Sequence, residues 1–299
     1  MTSILAPAIT TYRGVITTPE RWSTWAPRPG DILVSTPPKS GTTWTQTMIA
    51  MLLQGGPDLP DKLAHISPWI DVSLGDSAED VTRRLDALPG RRVVKTHTPG
   101  DGFPVWEDVF IVAVYRHPLD VFFSLRKHIA NRNGLEDHPM RAPVPEALQT
   151  FLDKPMDPSD FDDDTLEGIT HHHAQTVLAA RHPGLIALHY NDMIADPIGA
   201  LSHLARQTQI DVSEDAVQAI AAATQIDAMR ADATKYAPFG GSDVWKDDTA
   251  FFATGKSGSW QGKISDEDYR TYQDRLAVLE PDATARAWLE TGNGQPYDR

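Results

Sequence analysis

Two kinds of segment alternate along the chain. Apolar runs at residues 31–36 (DILVST), 92–96 (RVVKT), 109–115 (VFIVAVY) and 185–190 (LIALHY) are too continuous for strands with one wet face, so they read as buried strands. Between and after them, apolar residues recur at helical spacing. These stretches are 42–54 (TTWTQTMIAMLLQ), a polar helix near 78–87, 118–130, and helices near 165–181, 197–208, 213–223 and 265–278. Strands alternating with helices predict an α/β fold in three layers, a central parallel sheet flanked by helices. Residues 1–29 read as an irregular lead-in and 131–164, rich in Asp, Pro and Asn, as a surface insertion or lid. There is no internal repeat, and residues 1–299 read as one domain.

Right-handed crossovers place the C-terminal ends of the strands along one edge, and ligands of such sheets bind there. Charge narrows the choice of ligand. The formal net charge is −14, which argues against nucleic acid or an anionic membrane as partner. An anionic small molecule would need a local cluster of cations and backbone N–H groups. With no cysteine, a disulfide framework, a thiolate metal site and a Cys nucleophile are excluded. The first residues lack the basic start and long apolar core of a signal peptide. No apolar run approaches the roughly 18 residues of a membrane span. The expectation is a soluble cytoplasmic protein.

The loop after the first strand carries the strongest chemical signal. In Pro37-Pro38-Lys39-Ser40-Gly41-Thr42-Thr43-Trp44, Gly41 permits a tight turn and close approach of a ligand. The N–H groups of Gly41, Thr42 and Thr43 then open from a helix N-terminus, which favours phosphate. Lys39 adds a cation, and Trp44 offers a face for a base. The segment is P-loop-like in position, but its Lys precedes the Gly, unlike the loop of nucleoside triphosphatases. His97 lies just past the second strand as a candidate base, with Lys95 on the same strand face. Arg116 follows the third strand, and Ser124 lies eight residues on, within the reach of a shared phosphate.

PPKSGTTW resembles the 5′-phosphosulfate motif of cytosolic-type sulfotransferases, enzymes that use 3′-phosphoadenosine 5′-phosphosulfate (PAPS). Lys95-Thr96-His97-Thr98-Pro99 resembles their catalytic-base motif. Tyr115-Arg116-His117-Pro118-Leu119-Asp120 with Ser124 resembles their 3′-phosphate motif, and 251–260 (FFATGKSGSW) resembles their C-terminal loop. The resemblance covers roughly residues 20–270. It implies a transferase that moves a sulfuryl group from PAPS to a hydroxyl of a small, largely apolar acceptor (alcohol, phenol, sterol or glycolipid) and releases PAP. His97, Lys39 and Lys95 would be catalytic and no metal would be required. Lys39, Ser40, Gly41, Thr42, Thr43, Trp44, Arg116, Ser124, Tyr190, Thr224, Gly255 and Lys256 would hold the donor. Trp69, Phe103 and His173 would face the acceptor, with Trp106 and Phe123 as further apolar wall.

The chain departs from the family in two places. Where the C-terminal loop usually carries Arg-Lys-Gly, this chain has Ala253, Thr254 and Gly255, with Lys256 as the nearest substitute. The Lys-Thr-Val-Glu type dimer segment of many animal members is absent from residues 261–268, which leaves the oligomeric state open. His171, His172 and His173 are consecutive on a helix and point about 100° apart, so they do not converge on one ion. Two other readings compete. One is a magnesium- and ATP-dependent phosphoryl transferase. The other is a non-catalytic nucleotide-binding member of the fold, which the weakened 3′-phosphate loop would favour.

Overall fold

The four apolar runs form one parallel sheet whose chain order reverses in the middle. The computed structural model describes residues 2–162, 164–252 and 255–292. The strands are β1 (Ile4–Ala6), β2 (Ile32–Ser35), β3 (Val93–Thr96), β4 (Val105–Trp106), β5 (Phe110–Tyr115) and β6 (Leu185–His189). The central sheet runs β3–β2–β5–β6, with Val34 beside both Lys95 and Val112. From β2 the chain moves one way to β3 and the other way to β5 and β6. The crevice beyond Ser35 and Tyr115 is therefore the topological switch point, where such sheets bind ligands.

The strand residues sort by a period of two. Val34, Val112, Val114, Ile186 and Leu188 pack on one face against the helices Thr42–Gln54, Pro197–Gln207 and Glu214–Ala223. On the other face, Leu33, Val94 and Ile111 meet Trp25, Val81, Leu85 and Trp106. Ala113, Tyr115 and Ala187 meet Val177, Trp288 and Leu289. The last two side chains belong to the helix Ala283–Thr291, which the sequence pattern did not single out. Among the described residues no helix is long and apolar enough to cross a membrane.

Two segments differ from their reading as irregular surface. Within 1–29, β1 pairs antiparallel with β4, and Tyr12 and Trp25 are buried. Within 131–164, the helix Val144–Asp153 buries Ala147, Leu148, Phe151 and Leu152 beneath Leu119, Phe122 and Tyr272. Pro and Asp punctuation in 131–164 masked that one amphipathic face. The helix near 165–181 runs Leu166–His173 and then widens into a π turn at 174–178.

At the N-terminal end of β2, opposite the crevice, Asp31 and Arg92 form a fully buried ion pair at 2.6 Å. The Asp31 carboxylate also accepts from the Arg92 amide at 2.7 Å and the Trp25 indole at 3.1 Å. Arg92 donates onward to the Ala26 carbonyl at 2.6 Å. Removing one partner strands the other charge in the core. Asp31→Ala is expected to lower stability by about 3–5 kcal/mol, read as a lower denaturation midpoint in guanidinium. Ligand affinity of the folded fraction should not change, because the pair lies at the far end of the sheet.

Candidate active site

The loop from β2 into the helix Thr42–Gln54 takes a left-handed backbone at two positions, Lys39 (φ 63°) and Gly41 (φ 108°). Gly41 has a second reason to be glycine: a Cβ there would lie 2.9 Å from the Tyr190 ring. As the N-cap, Gly41 has no side chain to satisfy the first-turn amides, so those donors stay available to an anion. Thr42 is tied to Thr36 by hydroxyls 2.6 Å apart. Ser40 lies fully buried beneath the loop, and its Oγ has no hydrogen-bond partner among the described residues. It does not line the cavity.

The Lys39 ammonium runs to His128, 3.0 Å from its Nδ1, and lies 4.5 Å from the centre of the Phe251 ring. Burial pushes its pKa down to about 8 against an opposing pull from Asp164. Arg116 leaves the end of β5 and lies 4.5 Å over the Tyr190 ring. It donates to the Lys256 carbonyl at 2.8 Å and to the Lys39 carbonyl at 3.5 Å, and its Nε has no partner among the described residues. Lys256 thus contributes its backbone oxygen here, and its side chain is exposed. Ala253 and Thr254, which stand at the usual Arg-Lys pair, lie outside the described residues. Gly255 is left-handed (φ 61°). Buried Asp120 clamps the rest of that loop, accepting from the amides of Gly258 and Ser259, both at 2.8 Å, and from the Ser259 hydroxyl at 2.7 Å.

On the other side of the crevice, His97 lies beyond the end of β3. Its Nδ1 donates to the Thr36 carbonyl at 2.7 Å, which leaves Nε2 as the basic nitrogen. Burial, and then the Lys95 charge, push the imidazole well below its ordinary pKa, so it is neutral at physiological pH. Lys95 Nζ stands 3.4 Å from that Nε2 and 4.1 Å from the centre of the Trp69 ring. Burial brings the Lys95 pKa down to about 7, opposed by Asp71. Trp69 is held in place because its neighbours extend the sheet edge: Ile70 donates to the Lys95 carbonyl at 3.1 Å, and Lys95 donates to that of Pro68 at 3.0 Å.

One cavity of about 830 Å³ joins these groups. Lys39, Gly41, Thr42, Thr43, Trp44, Trp69, Lys95, His97, Arg116, Ser124, Tyr190, Thr224 and Gly255 all line it. The Thr224 hydroxyl is committed to the Ile220 carbonyl at 2.9 Å. The lead-in and the 131–164 segment close the far end together: Thr17 donates to Asp162 at 2.5 Å and Phe161 to the Arg13 carbonyl at 2.9 Å.

Three residues expected on the acceptor side, Phe103, Trp106 and His173, do not line the cavity. Phe103 is fully buried and stacks on Trp106 at 6.0 Å, and both belong to the core beneath the sheet. His173 is fully buried between Tyr115 and Trp288. Its neighbour His172 lines the cavity instead, because one residue on a helix turns the side chain by about 100°. His172 bonds to Ser35 at 3.1 Å and to the Tyr115 hydroxyl at 2.8 Å. Phe123 does line the wall. Sequence reasoning missed His128, His172 and Asp120 as site groups. His128 lies four residues after Ser124 on the same helix face, and Asp120 stands within the segment that resembles the 3′-phosphate motif.

The donor set suits a bisphosphorylated, sulfated nucleotide. The crevice offers cations, open amides, an Arg116 Nε without a partner among the described residues and Trp44 on its lining, and its glycine turn lets a phosphate approach the backbone.

The chain is similar to known proteins in sequence and in fold. Residues 29–279 match the sulfotransferase domain family. The glycolipid sulfotransferase of Mycobacterium bovis is 34% identical over 96% of this chain and 95% of its own length. That of Mycobacterium tuberculosis is also 34% identical, with the same shares covered. The solved structure of a mouse sulfotransferase complexed with PAP shares the fold, with a TM-score of 0.67 at 20% identity over 89% of this chain and 91% of that one. Retinol dehydratase in complex with androsterone and PAP gives a TM-score of 0.66 at 19% identity, covering 86% and 82%. This chain belongs to the sulfotransferase family and is an enzyme that transfers a sulfuryl group to a hydroxyl.

Proposed function

We propose that the enzyme takes its sulfuryl group from PAPS and delivers it to a hydroxyl of a largely apolar acceptor, with His97 as general base. The observation that carries this reading is that Lys39, Lys95, His97, Arg116 and Ser124 line one cavity. In this reading the 5′-phosphate rests on the open amides at Gly41–Thr43 and the 3′-phosphate lies between Arg116 and Ser124. The adenine stacks on Trp44, whose edge is braced by Tyr190 at 5.6 Å between ring centres. Beyond His97 the wall is mostly apolar, with Ile16, Trp69, Met140, Phe161 and Ile169. That wall suits a lipid or sterol-like body, and the mycobacterial relatives act on glycolipids by name.

His97 Nε2 takes the acceptor proton as the acceptor oxygen bonds to sulfur and the bond from sulfur to the bridging oxygen breaks. The products are a sulfate ester, PAP and a proton on His97. Lys39 stabilises negative charge building on the leaving oxygen, and Lys95 meets the sulfuryl oxygens. Positioning and electrostatics then supply most of the catalysis, as in phosphoryl transfer.

Three outcomes test this. Radiolabelled PAPS offered with a panel of alcohols, sterols and glycolipids should give sulfated product, and calorimetry should show PAP binding far more tightly than AMP or ATP; tighter ATP binding with magnesium-dependent turnover would sink the reading. In the same assays, His97→Ala should lower kcat by roughly 10²–10⁴ with PAP affinity retained.

The pH profile follows from the lysines. Both must be protonated to meet an anionic donor, so kcat/KM for PAPS should decline as pH rises through about 7 for Lys95 and about 8 for Lys39. Because His97 titrates well below 6.5, no acid limb should appear near neutrality. Finally, Asp120→Asn puts an N–H donor against the loop amides. It should weaken PAP binding by about tenfold, the worth of a bond to a charged group, and leave kcat nearly unchanged.

A further inference from the structure

The side-chain partner of the Lys39 ammonium is the imidazole of His128, with Nζ 3.0 Å from Nδ1. His128 lies on the helix Pro118–Asn131, four residues after Ser124, and both line the donor cavity. Its ring is caged by Trp245 at 4.8 Å and Phe251 at 5.9 Å, and Phe251 also underlies Lys39. Trp245 is itself anchored by its indole N–H on the Pro238 carbonyl at 2.5 Å. An ammonium donates only, so Nδ1 must carry the lone pair and the ring proton lies on Nε2.

We propose that His128 is a positioning residue for Lys39: its unprotonated Nδ1 is the neutral acceptor that holds the ammonium in the donor cavity with its charge intact. A carboxylate at this place would form an ion pair and cancel the charge the donor needs. An apolar side chain would leave the ammonium desolvated and favour its neutral form. A second imidazolium charge is disfavoured as well, since burial and then Lys39, Arg132, Lys95 and His97 all hold His128 unprotonated. Asp164 from the 131–164 segment and Arg116 at the end of β5 also bear on Lys39, in opposite directions, and Lys39 is coupled in turn to Lys95 and His97 across the crevice.

This inference rests on the reading that Lys39 grips the donor, and one titration series separates the two. PAP affinity is measured by calorimetry from about pH 6 to pH 10, spanning the ordinary range of a perturbed lysine. PAP has no sulfuryl group for Lys95 to meet, and Lys95 titrates lower, at about 7, so the limb near about 8 is the one that reports Lys39. The asparagine Oδ1 overlays the Nδ1 of histidine, whereas the glutamine Oε1 overlays Nε2. His128→Asn should therefore keep the wild-type limb near about 8. His128→Gln and His128→Leu should move it to lower pH and weaken PAP about tenfold there, the loss of one charge-assisted hydrogen bond. Lys39→Met should abolish the limb. A role in packing alone would disturb Asn and Gln variants alike. A limb that vanishes in Lys39→Met but stays unmoved in the Gln and Leu variants, or moves equally in Asn and Gln, overturns the inference alone. A limb that survives in Lys39→Met overturns the reading of Lys39, and this inference with it.

Discussion

Three cations at one sheet edge, Lys95 and Arg116 buried and Lys39 half-buried, each met by neutral groups, are the constraint on which this site depends. Lys39 rests on an imidazole nitrogen and a phenyl ring. Lys95 rests on an indole face beside a neutral imidazole, and Arg116 rests on a phenol ring and two carbonyls. Neutral acceptors satisfy the N–H groups without cancelling the charge. A molecule of net charge −14 thereby keeps charged cations facing a cavity that Asp160, Asp162, Asp164 and Asp227 also line. The carboxylates that do bear on the lysines, Asp71 and Asp164, temper the cost of burial.

That cost explains the protonation chemistry of the pocket. Desolvation disfavours a charge that has no counter-ion in contact, so both lysines lose affinity for their protons. An anionic donor reverses the balance by supplying the counter-charge, and protonation then favours donor capture. The same desolvation acts in the opposite functional sense on His97. It keeps the imidazole neutral, and the bond to the Thr36 carbonyl aims the bare nitrogen at the crevice. One physical cause prepares both the anion grip and the base.

The walls have a different origin from the floor. Donor-side groups come from loops and helix ends that follow β2, β3 and β5, where parallel topology converges. The far wall is made by the lead-in and the 131–164 segment, joined through Thr17 and Asp162 and through Arg13 and Phe161. Each is also anchored independently, the lead-in by pairing with β4 and 131–164 by the helix Val144–Asp153 packed on Leu119, Phe122 and Tyr272. Variation there would alter the acceptor side without disturbing the sheet.

The linear chain was enough to locate the four core strands and the principal helices, because buried runs and helical spacing are local patterns. It was also enough to pick out Lys39, Gly41, His97 and Arg116, since each stands within a few residues of a strand end where the topology must bring ligand-binding loops together, and Ser124 lies on the helix that follows Arg116. Tertiary structure alone decided which histidine of the His171–His173 run faces the cavity, since one residue of helical phase depends on the register of packing. It also decided that Phe103 is core, that Lys256 lends a carbonyl, and that His128 receives the Lys39 ammonium. Those outcomes depend on contacts between segments tens of residues apart, and such contacts are set by how the layers pack rather than by any pattern along the chain.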